Sequence, residues 1–585
     1  MKELRYLNKY LKKYQGRLLI GLVITIVARL FALLTPKFIG DTVDSVNQYL
    51  NKTETNIEIV KSQLATNILL IIGSTLLAAF FTFLMRQTFI VVSRKIEFDL
   101  KNEIYLQYQR LSLNFYKHNR TGDLMNRISE DVSKVRMYVG PALMYSVTTL
   151  TLFIVVISYM FYKAPLLTLY ALAPLPVLSV AIYKLSAAIH KKSTAVQQFL
   201  SSLTTFSQES FSGITVIKAY GIEPRIEQEF TTLAETGKRK NLDLARVQAL
   251  FFPMMILLIG LSNILVLYIG GNQFVSGKIQ DIGTIVSFLI YVNMLTWPVA
   301  VVGWVTSIVQ QAEASQKRIN EFLKEKPEIV NTVKTPTSIK GSIEFKNVTF
   351  IYPDTNITAL KNVSFTIEQG KTTAIIGNTG SGKSTVLELI GRLYDVDKGA
   401  ILINQTPINK HNLNSLRSNL GYVPQDAFLF SDTIAANIKF GKPDATKEEI
   451  INAAKKAVVH QNIICFKKGY NTVLGERGIT LSGGQKQRIS IARALIKKPE
   501  LLLLDDSLSA VDTQTEETIL KNLVQSRKNK TTIIVSHRVS AIKNAHKIIV
   551  LDNGQIIQQG THNELVNQDG YYKEIYAKQS FKKEN

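Results

Sequence analysis

Six apolar stretches, confined to the first half of the chain, limit what it can fold into more than any other feature. They run at roughly 18–40, 66–93, 140–162, 164–186, 248–271 and 281–304. A helix rises about 1.5 Å per residue, so about 20 apolar residues cross a hydrocarbon core about 30 Å thick. Each stretch is long enough. Lipid offers no partner for backbone N–H and C=O groups, so such segments must be helical. The third and fourth stretches meet at Lys163–Pro165, which predicts a tight hairpin. At 585 residues the chain is too long for one compact domain.

The chain carries 69 Lys and Arg against 45 Asp and Glu, a net charge of +24. Such an excess suits nucleic acid or an anionic membrane surface, so placement has to decide. The N-terminal segment holds Lys2, Arg5, Lys9, Lys12, Lys13 and Arg17. Between the second and third stretches lie Arg94, Lys95, Lys101, Arg110, Lys117, Arg120, Arg127, Lys134 and Arg136. Residues 41–65 hold only Lys52 and Lys61, and the last outer loop only Lys278. Basic loops stay cytoplasmic, which predicts both termini inside. Topology thus accounts for much of the charge, and no nucleic-acid partner is expected. Residues 1–17 are polar and no small-residue cleavage site follows the first stretch, so a cleaved leader is not expected. The single cysteine, Cys465, cannot form an intramolecular disulfide, which fits a reducing compartment.

Residues 94–137 and 187–247 are too long for turns. Apolar residues at helical spacing, such as Leu200, Leu203 and Phe206, predict that membrane helices continue into the cytosol. The polar run around 325–340, with Pro327 and Pro336, reads as a linker. Beyond it short β runs, "SIEFKNVTF", "KTTAIIG", "ELLLLDD" and "TTIIVSH", alternate with helices. That pattern predicts an α/β domain with a largely parallel sheet.

Chemistry concentrates in this second half. "GNTGSGKST" comprises Gly377, Asn378, Thr379, Gly380, Ser381, Gly382, Lys383, Ser384 and Thr385, between a strand and a helix. Glycines let backbone N–H groups wrap phosphates, Lys383 reaches the terminal phosphates, and the Ser384 hydroxyl suits Mg²⁺. The helix start adds a favourable dipole. "LLLLDD" is the matching acid-ended strand, with Asp505 to hold Mg²⁺ and Asp506 to face the attacking water. Between them, in "LSGGQKQRISIARAL", Ser482, Gly483, Gly484 and Gln485 open a second helix able to bind an anion. One domain has no need of two phosphate cradles. Two copies facing each other do, because each cradle pair then closes on one ATP.

"LSGGQ" in this order and position resembles the ATP-binding-cassette (ABC) family, and other pieces agree. Tyr352 in "VTFIYPD" resembles the aromatic that stacks on adenine. Gln425 in "YVPQD" is similar to the glutamine linking the metal site to the membrane domain, and His537 in "IIVSHR" to the switch histidine. "GERG", Gly475 to Gly478, resembles an exporter-specific loop, and "SAVD", ending in Asp512, the loop that crosses to the other nucleotide site. Residues 115–132 and 208–223 look like the cytoplasmic connections that bear coupling helices. The resemblance implies an all-α transmembrane domain of six long helices at 1–325, a linker at 326–340 and an α/β P-loop cassette at 341–585. It implies ATP and Mg²⁺ as cofactors and ATP hydrolysis, with Asp506, His537 and Gln425 as the catalytic set and Ser384, Gln425 and Asp505 around the metal. Six spans ahead of one cassette is the half-transporter arrangement, so a second half-transporter, the lipid bilayer and a small amphipathic substrate are the partners. The implied activity is ATP-driven export or flipping of drugs, lipids or lipid-like molecules across the cytoplasmic membrane. Six spans exclude a soluble cassette ATPase of repair or translation. Importers usually keep the two parts on separate chains, and no peptidase segment precedes the first stretch, so a peptide-processing exporter is not expected.

Asp506 departs from the family, which has glutamate there. The shorter side chain retracts the carboxylate by about 1–1.5 Å on a fixed backbone. Bacterial heterodimeric multidrug exporters resemble such a pattern, one impaired site beside one competent site. A heterodimer is therefore expected, with a homodimer as the alternative, and an ATP-binding regulatory or channel-like subunit of little turnover as the other open function. Arg29 and Arg86 lie inside apolar stretches, where ionisable residues are functional candidates; pairing between helices or snorkelling is the other explanation.

Overall fold

The computed structural model describes residues 2–51, 56–475 and 481–584. Lys52 and residues 476–478 of "GERG" lie outside them. The chain divides into two compact units, Met1–Tyr108 with Gly122–Lys324, and Gln109–Thr121 with Glu325–Asn585.

Among the described residues six helices, almost wholly in the first unit, are long and apolar enough to cross a membrane: α1 (Gln15–Leu50), α2 (Ile57–Arg110), α4 (Thr121–Lys163), α5 (Pro165–Ser212), α7 (Glu223–Val275) and α8 (Ile282–Lys324). Two short helices, α3 (Leu113–His118) and α6 (Ile214–Tyr220), sit between them in the chain. The spans outrun their apolar stretches because the polar continuations are helical too, as expected; α2 reaches 54 residues. Only Ala164 separates α4 from α5, and Pro165 takes the first helical turn of α5, where a missing N–H costs nothing.

Contacts inside this unit are those a bilayer favours. α1 and α8 meet backbone to backbone: a Cβ on Gly40 would stand 2.6 Å from the Gly283 carbonyl oxygen, so only glycine fits. Around this crossing the Tyr291 hydroxyl donates to the Leu33 carbonyl at 3.0 Å and Ser287 to the Pro36 carbonyl at 2.9 Å. The Gly283 N–H donates to Asp44 Oδ1 at 2.7 Å. Leu19, Leu69, Leu150 and Ile256 are exposed, an arrangement suited to lipid rather than water.

Among the described residues the second unit holds two sheets. The six-stranded one runs β10 (Gln555–Gly560), β9 (Lys547–Asp552), β3 (Thr372–Gly377), β8 (Thr531–Val535), β7 (Leu501–Asp505), β6 (Leu420–Val423). All its pairings are parallel except β10 with β9. Every residue of β7 is buried, as expected of a parallel strand covered on both faces. The four-stranded sheet runs β2 (Thr358–Ile367), β1 (Ile343–Ile351), β4 (Lys398–Ile403), β5 (Thr406–Pro407) and is antiparallel. "SIEFKNVTF" therefore lies outside the parallel sheet. Its strand is followed by a short turn at 352–357, and a connection that short can join only antiparallel neighbours.

The stretch read as a linker has no regular secondary structure, yet it is tied down within this unit. The Leu413 N–H donates to Asn331 Oδ1 at 2.9 Å and the Asn412 N–H to Thr337 Oγ1 at 3.0 Å. α3 belongs to the same unit: Asn114 Nδ2 donates to Glu328 Oε1 at 2.7 Å, and Leu113 packs on the core shared by both sheets.

Candidate nucleotide site

β3 ends at Gly377, and α9 (Lys383–Ile390) starts six residues later. Glycine is obligatory at two corners of the loop. A Cβ on Gly377 would lie 1.9 Å from the Leu551 carbonyl oxygen, and Gly382, at φ +94°, would put one 2.3 Å from that of Ala359. Asn378, Thr379 and Gly380 form an exposed tip, while Ser381 and Lys383 are buried. The Lys383 ammonium curls back on its own loop, donating to the carbonyls of Gly377 at 3.0 Å and Asn378 at 2.6 Å. Burial draws it below its ordinary pKa, with Asp506 and Asp505 opposing. The buried Ser381 hydroxyl has no hydrogen-bond partner among the described residues. A cradle with a buried cation and an unsatisfied hydroxyl fits a phosphate chain.

The acid-ended strand arrives beside this loop. The Ser384 hydroxyl donates to Asp505 Oδ1 at 2.9 Å. Burial raises the Asp505 pKa, and the Ser384 bond counters it. Among the described residues no group of three or more His, Cys, Asp or Glu side chains could hold a metal. A hydroxyl beside one carboxylate is nevertheless the sparse donor set that suits Mg²⁺, which takes one or two protein oxygens plus substrate phosphates. Gln425 stands exposed in the bend after β6. Since Val423 pairs with Leu504, that bend lies at the same sheet end as Asp505 and Asp506.

Asp506 leaves the strand with φ +40°, in the left-handed region. Its N–H donates to the Val535 carbonyl at 2.9 Å, and its own carbonyl accepts from the Ser509 hydroxyl at 2.8 Å. The carboxylate accepts the His537 N–H at 3.4 Å. The His537 imidazole is half-buried, and burial, then the Lys383 charge, lower its pKa, Asp506 opposing.

The second helix start is built differently. Ser482 caps α10 (Gly483–Ile496), accepting the Gln485 N–H, while the Gln485 side chain accepts the Ser482 N–H, a complete capping box. Ser482 and Gly483 are exposed. A Cβ on Gly484 would stand 2.7 Å from the Ala510 carbonyl oxygen, so the "SAVD" segment lies directly against this turn. Asp512, which ends that segment, caps α11 (Thr513–Ser526) by accepting the Thr515 N–H at 2.9 Å.

Tyr352, just past β1, hydrogen-bonds through its hydroxyl with Thr385 and with Glu388 Oε2, both at 2.9 Å, which fixes its ring against α9. Two neighbours of that ring were not read from sequence as parts of this site: Tyr394, edge-on at 5.7 Å, and Lys117 of α3, counted there only for its charge, whose ammonium lies 4.6 Å from the ring centre. Arg538 was also missed. Its guanidinium donates to the carbonyls of Ser509 at 2.6 Å and Val511 at 3.0 Å and to buried Glu516 at 3.1 Å. It thereby ties the His537 loop to the segment after Asp506. Its place directly after His537 is the only sequence signal it carries.

Comparison with known proteins agrees with this geometry. The family model of the ABC transporter transmembrane region matches residues 18–299, and that of the ABC transporter matches 360–509. The chain is 38% identical to the multidrug resistance-like ATP-binding protein MdlA of Escherichia coli (strain K12), over 98% of this chain and 96% of that protein. It is 36% identical to the ATP-dependent lipid A-core flippase of Syntrophus aciditrophicus (strain SB), over 83% of this chain and 81% of that one. Among solved structures, a bacterial Atm1-family ABC exporter with ATP bound superposes with a TM-score of 0.80 at 27% identity, covering 96% of this chain and 99% of that one. The chain belongs to the ABC transporter family as a multi-pass, ATP-hydrolysing exporter of the half-transporter type.

Proposed function

We propose that this chain exports or flips small amphipathic molecules, drugs, lipids or lipid-like compounds, across the cytoplasmic membrane as one half of a dimer. Both termini and the cassette face the cytoplasm, by the charge asymmetry of the loops. The division of labour is 1–325 for translocation, 326–340 as connection and 341–585 for nucleotide. The observation that carries the reading is a built phosphate cradle and a second, outward-facing helix start in one cassette, on a chain with six spanning helices. The exposed tip of α6, with Val216 and Tyr220 open and Phe211 beside it, adds an apolar surface that a second subunit would cover.

In the closed dimer, Tyr352 stacks on adenine and Lys383 and the loop N–H groups hold the phosphates. Ser384, Asp505 and Gln425 are the residues that would hold Mg²⁺, which neutralises charge on the phosphates. Asp506 orients the attacking water and His537 meets the terminal phosphate. Ser482 to Gln485 serve the ATP of the other subunit.

Asp506 makes this chain's own site slow. The orienting base must come within about 2.6–3.2 Å of the water. The Asp506 backbone is held at both N–H and C=O, so it has little freedom to make up the missing methylene. A misplacement of about 1 Å costs on the order of 10²-fold in rate. An intact "LSGGQ" beside a weakened acid favours a heterodimer whose partner carries glutamate. Arg29 favours an anionic group on the substrate: it is half-buried in α1, and its Nε has no hydrogen-bond partner among the described residues. Arg86 is exposed in α2, as a snorkelling residue would be.

The test is reconstitution of the dimer in proteoliposomes with a fluorescent amphipathic dye or a labelled lipid. MgATP should drive its movement and Lys383→Ala should abolish it. Movement that survives Lys383→Ala would overturn the reading.

A further inference from the structure

The C-terminal helix α12 (Tyr571–Glu584) carries no recognisable motif, yet it touches two parts of the nucleotide site. The Tyr571 hydroxyl donates to Asn378 Oδ1, in the phosphate loop, at 2.9 Å. Two turns on, Gln579 spends both ends of its amide on the switch loop. Nε2 donates to the His537 carbonyl at 2.8 Å, and Oε1 accepts the Val539 N–H at 2.8 Å. These bonds straddle Arg538, whose guanidinium is pinned to Ser509 and Val511. Residues 537–539 are thus held from two sides, by α12 and by the segment that follows Asp506.

Docking of α12 does not need Gln579. Tyr572 is fully buried and Ile575 packs on the same core, and 572, 575 and 579 share one helix face. An apolar residue would serve the next place on that stripe. A glutamine there satisfies backbone groups of one particular loop.

We propose that α12 is a positioning element of the nucleotide site, with Gln579 fixing the His537 loop and Tyr571 steadying Asn378. The proposal rests on His537 being the residue that meets the terminal phosphate. Removing Gln579 leaves His537 in place but lets its loop wander, so turnover falls while binding of the diphosphate does not. A loop displaced by about half an ångström corresponds to about tenfold in rate.

The test uses the assembled full-length transporter, with Asp506→Glu where the native site is too slow to read. Gln579→Leu should lower kcat about tenfold, with ADP affinity and melting temperature as in the parent. Gln579→Glu keeps the acceptor for Val539 but loses the donor to His537, so its kcat should fall between the two. Tyr571→Phe should raise KM for ATP about twofold to threefold with kcat held. His537→Ala should abolish turnover, and Gln579→Leu added to it should change nothing. If His537→Ala keeps full turnover, the reading of His537 is wrong and the proposal falls with it. If His537→Ala is inactive but Gln579→Leu and Gln579→Glu run at the parental kcat, the proposal alone is wrong. A joint fall of kcat, ADP affinity and melting temperature in Gln579→Leu would make α12 a structural brace. Should Gln579→Leu fail to fold, Gln579→Glu, close to it in shape, decides by the same criteria.

Discussion

The two helix starts of the cassette have similar ingredients and opposite designs. At the start of α9 the chain turns inward. Glycines are forced by neighbouring carbonyls, Lys383 is 6% exposed, and Ser384 already bonds Asp505. At the start of α10 the capping box is complete and Ser482 and Gly483 face solvent. The first is a pocket and the second a surface. A helix N-terminus favours anions in either setting, but only the pocket brings a buried cation and a carboxylate for a metal. The difference is what the proposed dimer requires, one ATP taking its machinery from α9 of one subunit and its closing contact from α10 of the other.

The largest expected break in that contrast is Lys383→Ala. Stabilisation by MgATP in a melting assay should vanish, and a variant that keeps it would refute the assignment of the pocket. Ser482→Arg should do the reverse. It fills the outward surface, so the chain keeps its MgATP stabilisation while ATPase of the dimer falls on the order of 10²-fold through misplacement at the interface. Loss of MgATP stabilisation in Ser482→Arg would merge the two starts into one site. A smaller effect is expected far from both. Arg29→Ala should reduce transport and substrate-stimulated ATPase several-fold, leaving basal ATPase nearly intact. Loss of expression instead would make Arg29 structural.

The smallest effect is on pH. His537 has a folded-state pKa below its ordinary 6.5, through burial and Lys383. The folded state therefore binds fewer protons than the unfolded chain as pH falls below 6.5, and stability drops through that window. His537→Gln should flatten the acid side of a melting-temperature profile without moving the alkaline side. His562, shifted the same way, remains in both proteins and leaves a residual slope.

What was legible in the sequence follows from how local each feature is. The phosphate loop and "LSGGQ" are contiguous backbone shapes, so a few adjacent residues specify them. The six spans follow from length and apolarity alone. The antiparallel sheet was hidden because "SIEFKNVTF" has the composition of any half-buried strand; its partners decide its direction. The linker looked free by composition, and its attachments come from Asn412 and Leu413, which lie 75 and 82 positions from their partners Thr337 and Asn331. Lys117 beside Tyr352 and Gln579 under His537 had no signal of their own as site residues, and Arg538 across the acid segment had only its place after His537. Each acts through a backbone group or ring far off in sequence, and "YYKEIYAKQS" reads as an ordinary polar helix.

Asymmetry at Asp506 is the central claim, and one measurement addresses it most directly. The chain is purified alone and its steady-state ATPase compared with that of Asp506→Glu. The native chain should turn over slowly and gain about 10- to 100-fold from the added methylene, because the backbone at this position is held at both N–H and C=O and has little freedom to make up the distance. A stable homodimer with brisk ATPase that Asp506→Glu does not improve would contradict it.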